Sequence, residues 1–456
     1  MQRHLYRWAG ILILIGMILA ACSKSPQPLP EEQPTQALAS ITPAPSVSPT
    51  PEAVKQVVQE ALDFQRAPQQ PRESAKTTNL VLWHRWSADE LVAIDQVIED
   101  YQSTHPGVTV ELITPPNFDS TVDIAIQAGL GPDVIAWNNS VIGSLAEHKN
   151  IVPLDGPDLN QGLLFDLFEP AAANGVIWKG KIWGLPQAQS GLALVYNKEI
   201  VKEEYLPKDP LDFAALLDRA RQFQTNTGKT LICNPGFSSG SPDVAGDLAP
   251  VFFGFGIPMY VDENGRGFLD TPEAINAADW LSSLNEVSPA ENSPETCKDS
   301  FEKGDVGMWW TGPQAIPGIE KSGINYGILP MGKPMVDVQA LMLTQNAVDR
   351  GNQSIALDLM RYLSGQEVQK KLALLNRTIP TTSVVFDDAE IARELVVTGF
   401  GDALRLGIAR SPSPFAAAVK DPLAKAIQAI WSGSAAPEEA MKTAQEELDV
   451  AVEKLR

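Results

Sequence analysis

Two short segments hold the side chains best suited to gripping a small molecule: His84-Arg85-Trp86-Ser87 and Trp137-Asn138-Asn139-Ser140. Each sets an indole beside hydroxyl or amide groups where an apolar run ends. A flat aromatic surface packs on a face of C–H groups, and amides read an edge of hydroxyls, so the combination suits an uncharged, polyhydroxylated ligand. The competing reading makes each tryptophan a core or rim residue and each polar neighbour a helix cap. Equipment for breaking bonds is missing from the sequence. There is no Gly-rich phosphate loop, no Gly-x-Ser-x-Gly and no His-Glu-x-x-His, and the 4 histidines are scattered. A glycosidase needs two carboxylates facing one bond, but with 20% of the chain charged, composition singles out no pair.

The elements that must hold these segments read as alternating strands and helices. Leu80 to Trp83 is a short apolar run, followed by the capping box Ser87-Ala88-Asp89-Glu90 and an inward stripe of Leu91, Ile94, Val97, Ile98 and Tyr101. A second strand, Val108 to Leu112, follows the turn His105-Pro106-Gly107. A helix around Val122 to Ala128 leads to a third strand, Asp133 to Trp137. This alternation predicts an α/β fold around a mostly parallel sheet covered on both faces. In such sheets, ligands bind beyond the carboxyl ends of the strands, where both segments lie.

The amino terminus decides where this body sits. Arg3 and Arg7 precede an apolar stretch of 14 residues, Trp8 to Ala21, which ends in Leu19-Ala20-Ala21-Cys22. Roughly 20 residues are needed to span a hydrocarbon core, so the stretch reads as a lipoprotein signal over residues 1–21, cleaved before an acylated Cys22. Two acyl chains on Cys22 would tether the protein to the extracytoplasmic face of the cell membrane. Residues 22–76 read as a linker. Eight prolines between Ser23 and Pro51, with no aromatic among them, leave too little surface to offset ordering entropy. A short helix over Pro51 to Phe64 would fit the spacing of Val54, Val57, Val58, Ala61 and Leu62.

Charge and cysteine usage narrow the partners. The net charge of −21 becomes −23 once Arg3 and Arg7 leave with the signal, which argues against nucleic acid or anionic lipid. Cys233 and Cys297 remain as an even pair in a compartment that tolerates disulfides. Oxidised, they would close a loop of 64 residues and contribute about 4 kcal/mol in the chain-entropy model; the alternative is two free buried thiols. Neither has a Cys or His neighbour with metal-ligand spacing, so no metal and no cofactor are expected.

Five further pieces occur in a telling order: Leu82-Trp83-His84-Arg85-Trp86, Ala128-Gly129-Leu130-Gly131-Pro132-Asp133-Val134-Ile135, Gly184-Leu185-Pro186 with Leu194-Val195-Tyr196-Asn197-Lys198, Phe301-Glu302-Lys303-Gly304-Asp305-Val306-Gly307-Met308 with Gly312-Pro313, and Tyr326-Gly327-Ile328-Leu329-Pro330. In that order the chain resembles the extracellular solute-binding proteins of bacterial ABC importers, of the carbohydrate type related to maltose-binding protein. The resemblance implies a periplasmic-binding-protein fold: two Rossmann-like lobes, three chain crossings and a cleft that closes about a hinge. Transferred here, it implies crossings near Gln189 to Gly191, Val336 to Ala340 and Thr382 to Phe386. Lobe 1 would hold residues 77–190 and 339–383, and lobe 2 residues 191–338 and 384–456.

The same resemblance adds Gln187 and Gln189 to the cleft, beside Arg85, Trp86, Ser87, Trp137, Asn138 and Asn139. Where the family has Gly-Pro-Trp, this chain has Gly312-Pro313-Gln314, so an aromatic used for stacking is absent and Trp309 or Trp310 would have to serve. Neighbours on a strand point to opposite faces, so one of those two belongs to the core. Approximate alignment also brings in Phe237, Asp243, Asp247 and Phe415, for which structural roles are favoured, as for Asp133. The implied partners are a mono- or oligosaccharide, the importer's permease subunits with their ATPase, and the membrane through Cys22; the protein is expected to be a monomer and not an enzyme. The alternatives are a binder of a polyamine, an iron complex or glycerol phosphate, and a carbohydrate-active enzyme.

Overall fold

In the computed structural model the described residues are 77–456, except 239, 240, 242, 290 and 291. The signal, the linker, Cys22 and the helix expected over Pro51 to Phe64 lie outside them.

The first strand, β1 (Thr78–His84), runs into helix α1 (Ala88–Thr104), and the junction is set by the capping box. Ser87 Oγ accepts from the Glu90 amide at 3.3 Å, and the Ser87 amide donates to Glu90 Oε2 at 2.7 Å. Ala93, Ile94, Val97, Ile98 and Tyr101 form the buried stripe of α1, leaving Leu91 half-buried. Then come β2 (Val108–Ile113), α2 (Phe118–Gln127) and β3 (Val134–Asn138). Strands β2 and β3 flank β1 in parallel, with Leu82 opposite both Leu112 and Val134. Helical crossovers require that direction.

The chain continues through the two-residue strands β4 (Ile177–Trp178) and β5 (Lys181–Ile182) to β6 (Leu185–Ser190). It then leaves this sheet and enters another at β7 (Ala193–Asn197), followed by β8 (Thr230–Cys233), β9 (Val306–Thr311) and β10 (Tyr326–Leu329). The second sheet has the order β10-β7-β9-β8. After Leu329 the chain returns to the first sheet as β11 (Met335–Leu343), and much later β12 (Ile408–Ala409) joins it. Two clusters of buried apolar side chains result. One covers the first sheet and extends over one face of the second through Val195, Val306 and Trp309, and the other gathers Phe213, Phe252, Phe253, Trp280 and Trp310.

Two expectations need correction. The parallel arrangement holds for β1, β2 and β3 but not throughout: β11 runs antiparallel to both β3 and β6, and in the second sheet β7 runs antiparallel to β9 and β10. Strands β7 and β11 arrive from the other sheet without a helical crossover, so nothing reverses the chain before it pairs. The crossing expected at Val336 to Ala340 lies inside β11, and the passage between sheets occurs over residues 330–334.

Strand β11 has an unusual edge. Its carboxyl half pairs with β3, with Gln339 opposite Asn138, while its amino half pairs with β12, with Met335 opposite Ile408. Asn138 and Arg410 are therefore brought to the same stretch of β11, at Asp337. Cys233, closing β8, is joined by a disulfide to Cys297 in the helix Pro294–Glu302, with their Cα atoms 5.6 Å apart.

Candidate functional site

A cavity of about 910 Å³ opens between the two apolar clusters. One wall carries Trp137, Val122 and Leu145 from the first cluster, and the other Phe253, Tyr260 and Val261 from the second. Its volume falls in the range of pockets that enclose a small molecule.

Trp137 is in place because β3 runs on to Asn138, and its ring meets Phe118, the first residue of α2, edge-on at 4.4 Å. The Arg85 guanidinium lies 6.0 Å from the same Phe118 ring and pairs with Asp119 at 2.9 Å; both charged groups line the cavity. Asn138 caps the next turn by accepting from the Ser140 amide and donates to Asp337 Oδ1 at 2.7 Å. Tyr260 contributes its ring as apolar wall. Its hydroxyl donates to the Ala245 carbonyl at 3.1 Å, and burial pushes the phenol far above its ordinary range.

Three residues that sequence reading did not place at the site's centre dominate its polar floor. Arg410 donates through Nε to Asp337 Oδ1 at 2.5 Å and through Nη2 to Asp243 Oδ2 at 2.6 Å. Burial works against its charge, but Asp337 and Asp243 outweigh it and raise the pKa above the ordinary arginine value. Asp243 is also the N-cap of the helix Val244–Phe255, accepting from the Gly246 amide. One turn further on, burial chiefly, with the nearby Asp243 carboxylate adding to it, lifts the Asp247 carboxyl to about 6. The X-Pro pairs at Ser411-Pro412 and Ser413-Pro414 mark Arg410 as the edge of a loop, but a loop signal does not tell which strand it meets.

The cavity's charges are nearly balanced. Its lining holds four aspartates, Asp119, Asp123, Asp243 and Asp337, against Arg85, Arg410 and Lys420. Asp123 is engaged by His148 at 2.9 Å and by the Asn150 side chain.

Of the residues expected at the site, Arg85, Trp137 and Asn138 line this cavity, and Asp243 joins them while keeping its structural role as a helix cap. The others have different occupations. Trp86 is 8% exposed and stacks on His84 with ring centroids 4.7 Å apart. Ser87 is spent on capping α1. Asn139 is fully buried, donating to the Gly175 and Arg410 carbonyls and accepting from the Val338 amide. Gln187 and Gln189 are buried on β6, and Gln189 donates to the Pro380 carbonyl. Trp309 and Trp310 are both buried, Trp309 beside Phe301 and Trp310 donating to the Met331 carbonyl, so neither side of β9 presents an indole to this cavity. Gln314 is exposed in the short turn Pro313–Ala315, and Phe237 is core. Asp247 and Phe415 are not among the lining residues. Asp133 is wholly buried and accepts from Val81, Arg350 and Asn352, which holds its loop. Among the described residues there is no grouping of three or more His, Cys, Asp or Glu placed to hold a metal.

The cavity is thus walled by side chains from both apolar clusters. The chain belongs to the bacterial extracellular solute-binding protein family, whose profile matches residues 96–396. It is 26% identical over 350 residues to the maltotriose-binding protein of Pyrococcus abyssi, covering 75% of this chain and 74% of that protein. It is 21% identical over 391 residues to the galactooligosaccharide-binding protein of Bacillus subtilis, covering 82% and 90%. Among solved structures, a cyclo/maltodextrin-binding protein complexed with maltotetraose superposes with a TM-score of 0.71 at 20% identity, covering 84% of this chain and 99% of that one. The maltose-binding periplasmic protein MalE of Listeria monocytogenes gives 0.69 at 17% identity, covering 83% and 99%. The fold is thus that of the maltose-binding proteins, and the chain is a binding protein rather than an enzyme. Its family places it outside the cytoplasm, and no helix of the described residues is long and apolar enough to cross a membrane.

Proposed function

We propose that this protein captures a neutral mono- or oligosaccharide in the 910 Å³ cavity and hands it to the permease of an ABC importer, while the lipid on Cys22 keeps it at the outer face of the membrane. Trp137 stacks on the sugar, and Asn138, Arg85 and the aspartates read its hydroxyls. The observation that carries this reading is a large cavity offering an indole beside a floor whose central arginine, Arg410, is already shared by Asp337 and Asp243. That arginine holds no free fork for a phosphate ester, and a near-neutral lining gives little pull on a polyamine. The relatives named for maltotriose and galactooligosaccharide binding point to the same ligand class.

The two walls belong to two lobes, broadly residues 77–190 with 339–383 and residues 191–338 with 384–456, and contacts from both favour a closed state. The boundary at 338/339 falls inside β11, so the hinge is better placed at 330–334. The test is a thermal-shift screen of the purified chain against maltotriose, maltotetraose, galactooligosaccharides, spermidine and glycerol phosphate, followed by calorimetry. A saccharide present at about 100 times its Kd should stabilise the folded state by about 2.7 kcal/mol without being consumed. Stabilisation by spermidine or glycerol phosphate alone would overturn the sugar reading, and release of shorter sugars would make the protein an enzyme.

A further inference from the structure

The Asp337–Arg410–Asp243 group on the cavity floor joins residues far apart in the chain, and its charges do not cancel. One guanidinium is shared by two carboxylates, with Nε and Nη2 of Arg410 on Asp337 and Nη2 on Asp243. Asn138 adds a further donor to Asp337 at 2.7 Å. Arg410 itself is clamped at both ends of its backbone: its amide donates to the Val336 carbonyl and its carbonyl accepts from Asn139. The side chains of Asp337 and Asp243 remain 32% and 52% exposed toward the cavity they line.

The geometry points to this group as the determinant that selects neutral saccharides and rejects acidic ones. The inference deepens the sugar-binding reading and rests on it. A guanidinium whose fork is occupied by two carboxylates has no bidentate face left for a ligand carboxylate or phosphate. The carboxylate oxygens keep spare lone pairs, and these accept O–H donors from a sugar as charge-assisted hydrogen bonds. An anionic group entering the same place meets two negative charges against one positive, in a partly buried setting where screening by salt is incomplete. The same residues that welcome a hydroxyl repel a uronate.

Calorimetry on the purified full-length chain tests this with maltotriose and with the mono-uronates made from it by oxidising one primary hydroxyl, at either end, to a carboxylate. The wild type should bind maltotriose about 100-fold more tightly than the weaker-bound uronate, the size expected of one unit charge facing a partly buried carboxylate. Asp337→Asn and Asp243→Asn keep an acceptor oxygen but remove the charge, so each should narrow that ratio about 10-fold, chiefly by improved uronate binding. Should a variant fail to fold, the wild type still reports: raising salt from about 0.05 M to about 0.5 M should narrow the ratio through weaker uronate rejection. Equal affinity for all the probes, or a ratio unmoved by the Asn variants and by salt, overturns the inference and leaves the sugar reading standing. Tighter binding of spermidine than of maltotriose, or binding of no neutral saccharide in the panel above, overturns both.

Discussion

The segments after β1 and β3 look alike as sequence, with an indole at a strand end followed by polar residues, yet they fold to opposite purposes. After β1, Ser87 starts α1 at once, and the Trp86 amide donates to His84 Nδ1 at 3.2 Å, so the chain doubles back and the indole lies on the imidazole. After β3, the strand carries on to Asn138, and Trp137 stays on the sheet facing Phe118, where it lines the cavity. Each ring is followed at once by a capping residue, Ser87 or Asn138, so the difference lies in the strand: Trp137 is still inside β3, one residue before its end, whereas Trp86 lies two residues past the end of β1.

This contrast can be broken by mutation. The largest effect is expected from Trp86→Ala, which empties a buried stack and should cost about 3 kcal/mol of stability in guanidinium unfolding, while the folded fraction keeps its affinity for maltotriose within about twofold. Lost affinity with intact stability would move Trp86 into the site. Next, Asn139→Ala strands the Gly175 and Arg410 carbonyls and the Val338 amide, with an expected loss of about 2 kcal/mol by the same measurement. A neutral outcome there would show that the clamp on β12 is dispensable. Trp137→Ala should reverse the pattern, weakening saccharide binding by about 1 kcal/mol or more in calorimetry with little change in melting temperature.

The smallest effect sharpens the comparison through pH. Burial chiefly depresses the His84 pKa below the ordinary histidine value, against smaller opposing pulls from Asp95 and Glu90. A depressed histidine pKa means that its stabilising contribution is present above the ordinary value and fades as pH falls through the lowered one. Amide protection factors over residues 84–91, taken relative to the intrinsic exchange rate at each pH, should therefore fall between about pH 7 and pH 5, and His84→Gln should abolish the change. Residues 137–140 contain no ionisable side chain and should show no such local response.

Local signals were legible wherever the determinant lay within one turn or one strand. The capping box, the buried stripe of α1 and the runs that became β1, β2 and β3 all declare themselves within a few residues. The fold class followed from their alternation, and the family from five ordered pieces. Asn138 and Asn139 show where such reading stops. Adjacent and identical in type, one faces the cavity and the other is sealed beneath β11, because the strand ends between them: Asn138 closes β3 and Asn139 opens the turn Asn139–Val141. Nothing local marks Arg410 as the partner of Asp337, 73 residues away, or of Asp243, 167 residues away. The buried indoles of Trp309 and Trp310 mislead for the converse reason, since β9 is central in its sheet and both its faces are covered.

The meeting of β3 and β12 along one edge of β11 also imposes an order on assembly. A chain that emerges amino terminus first lays down the tryptophan wall early, but Arg410 becomes available only after some nine tenths of the polypeptide has appeared. Until that late residue docks, Asp337 and Asp243 lack the guanidinium that joins them. The nascent receptor is thereby kept from acquiring its finished binding floor before synthesis or export is nearly over.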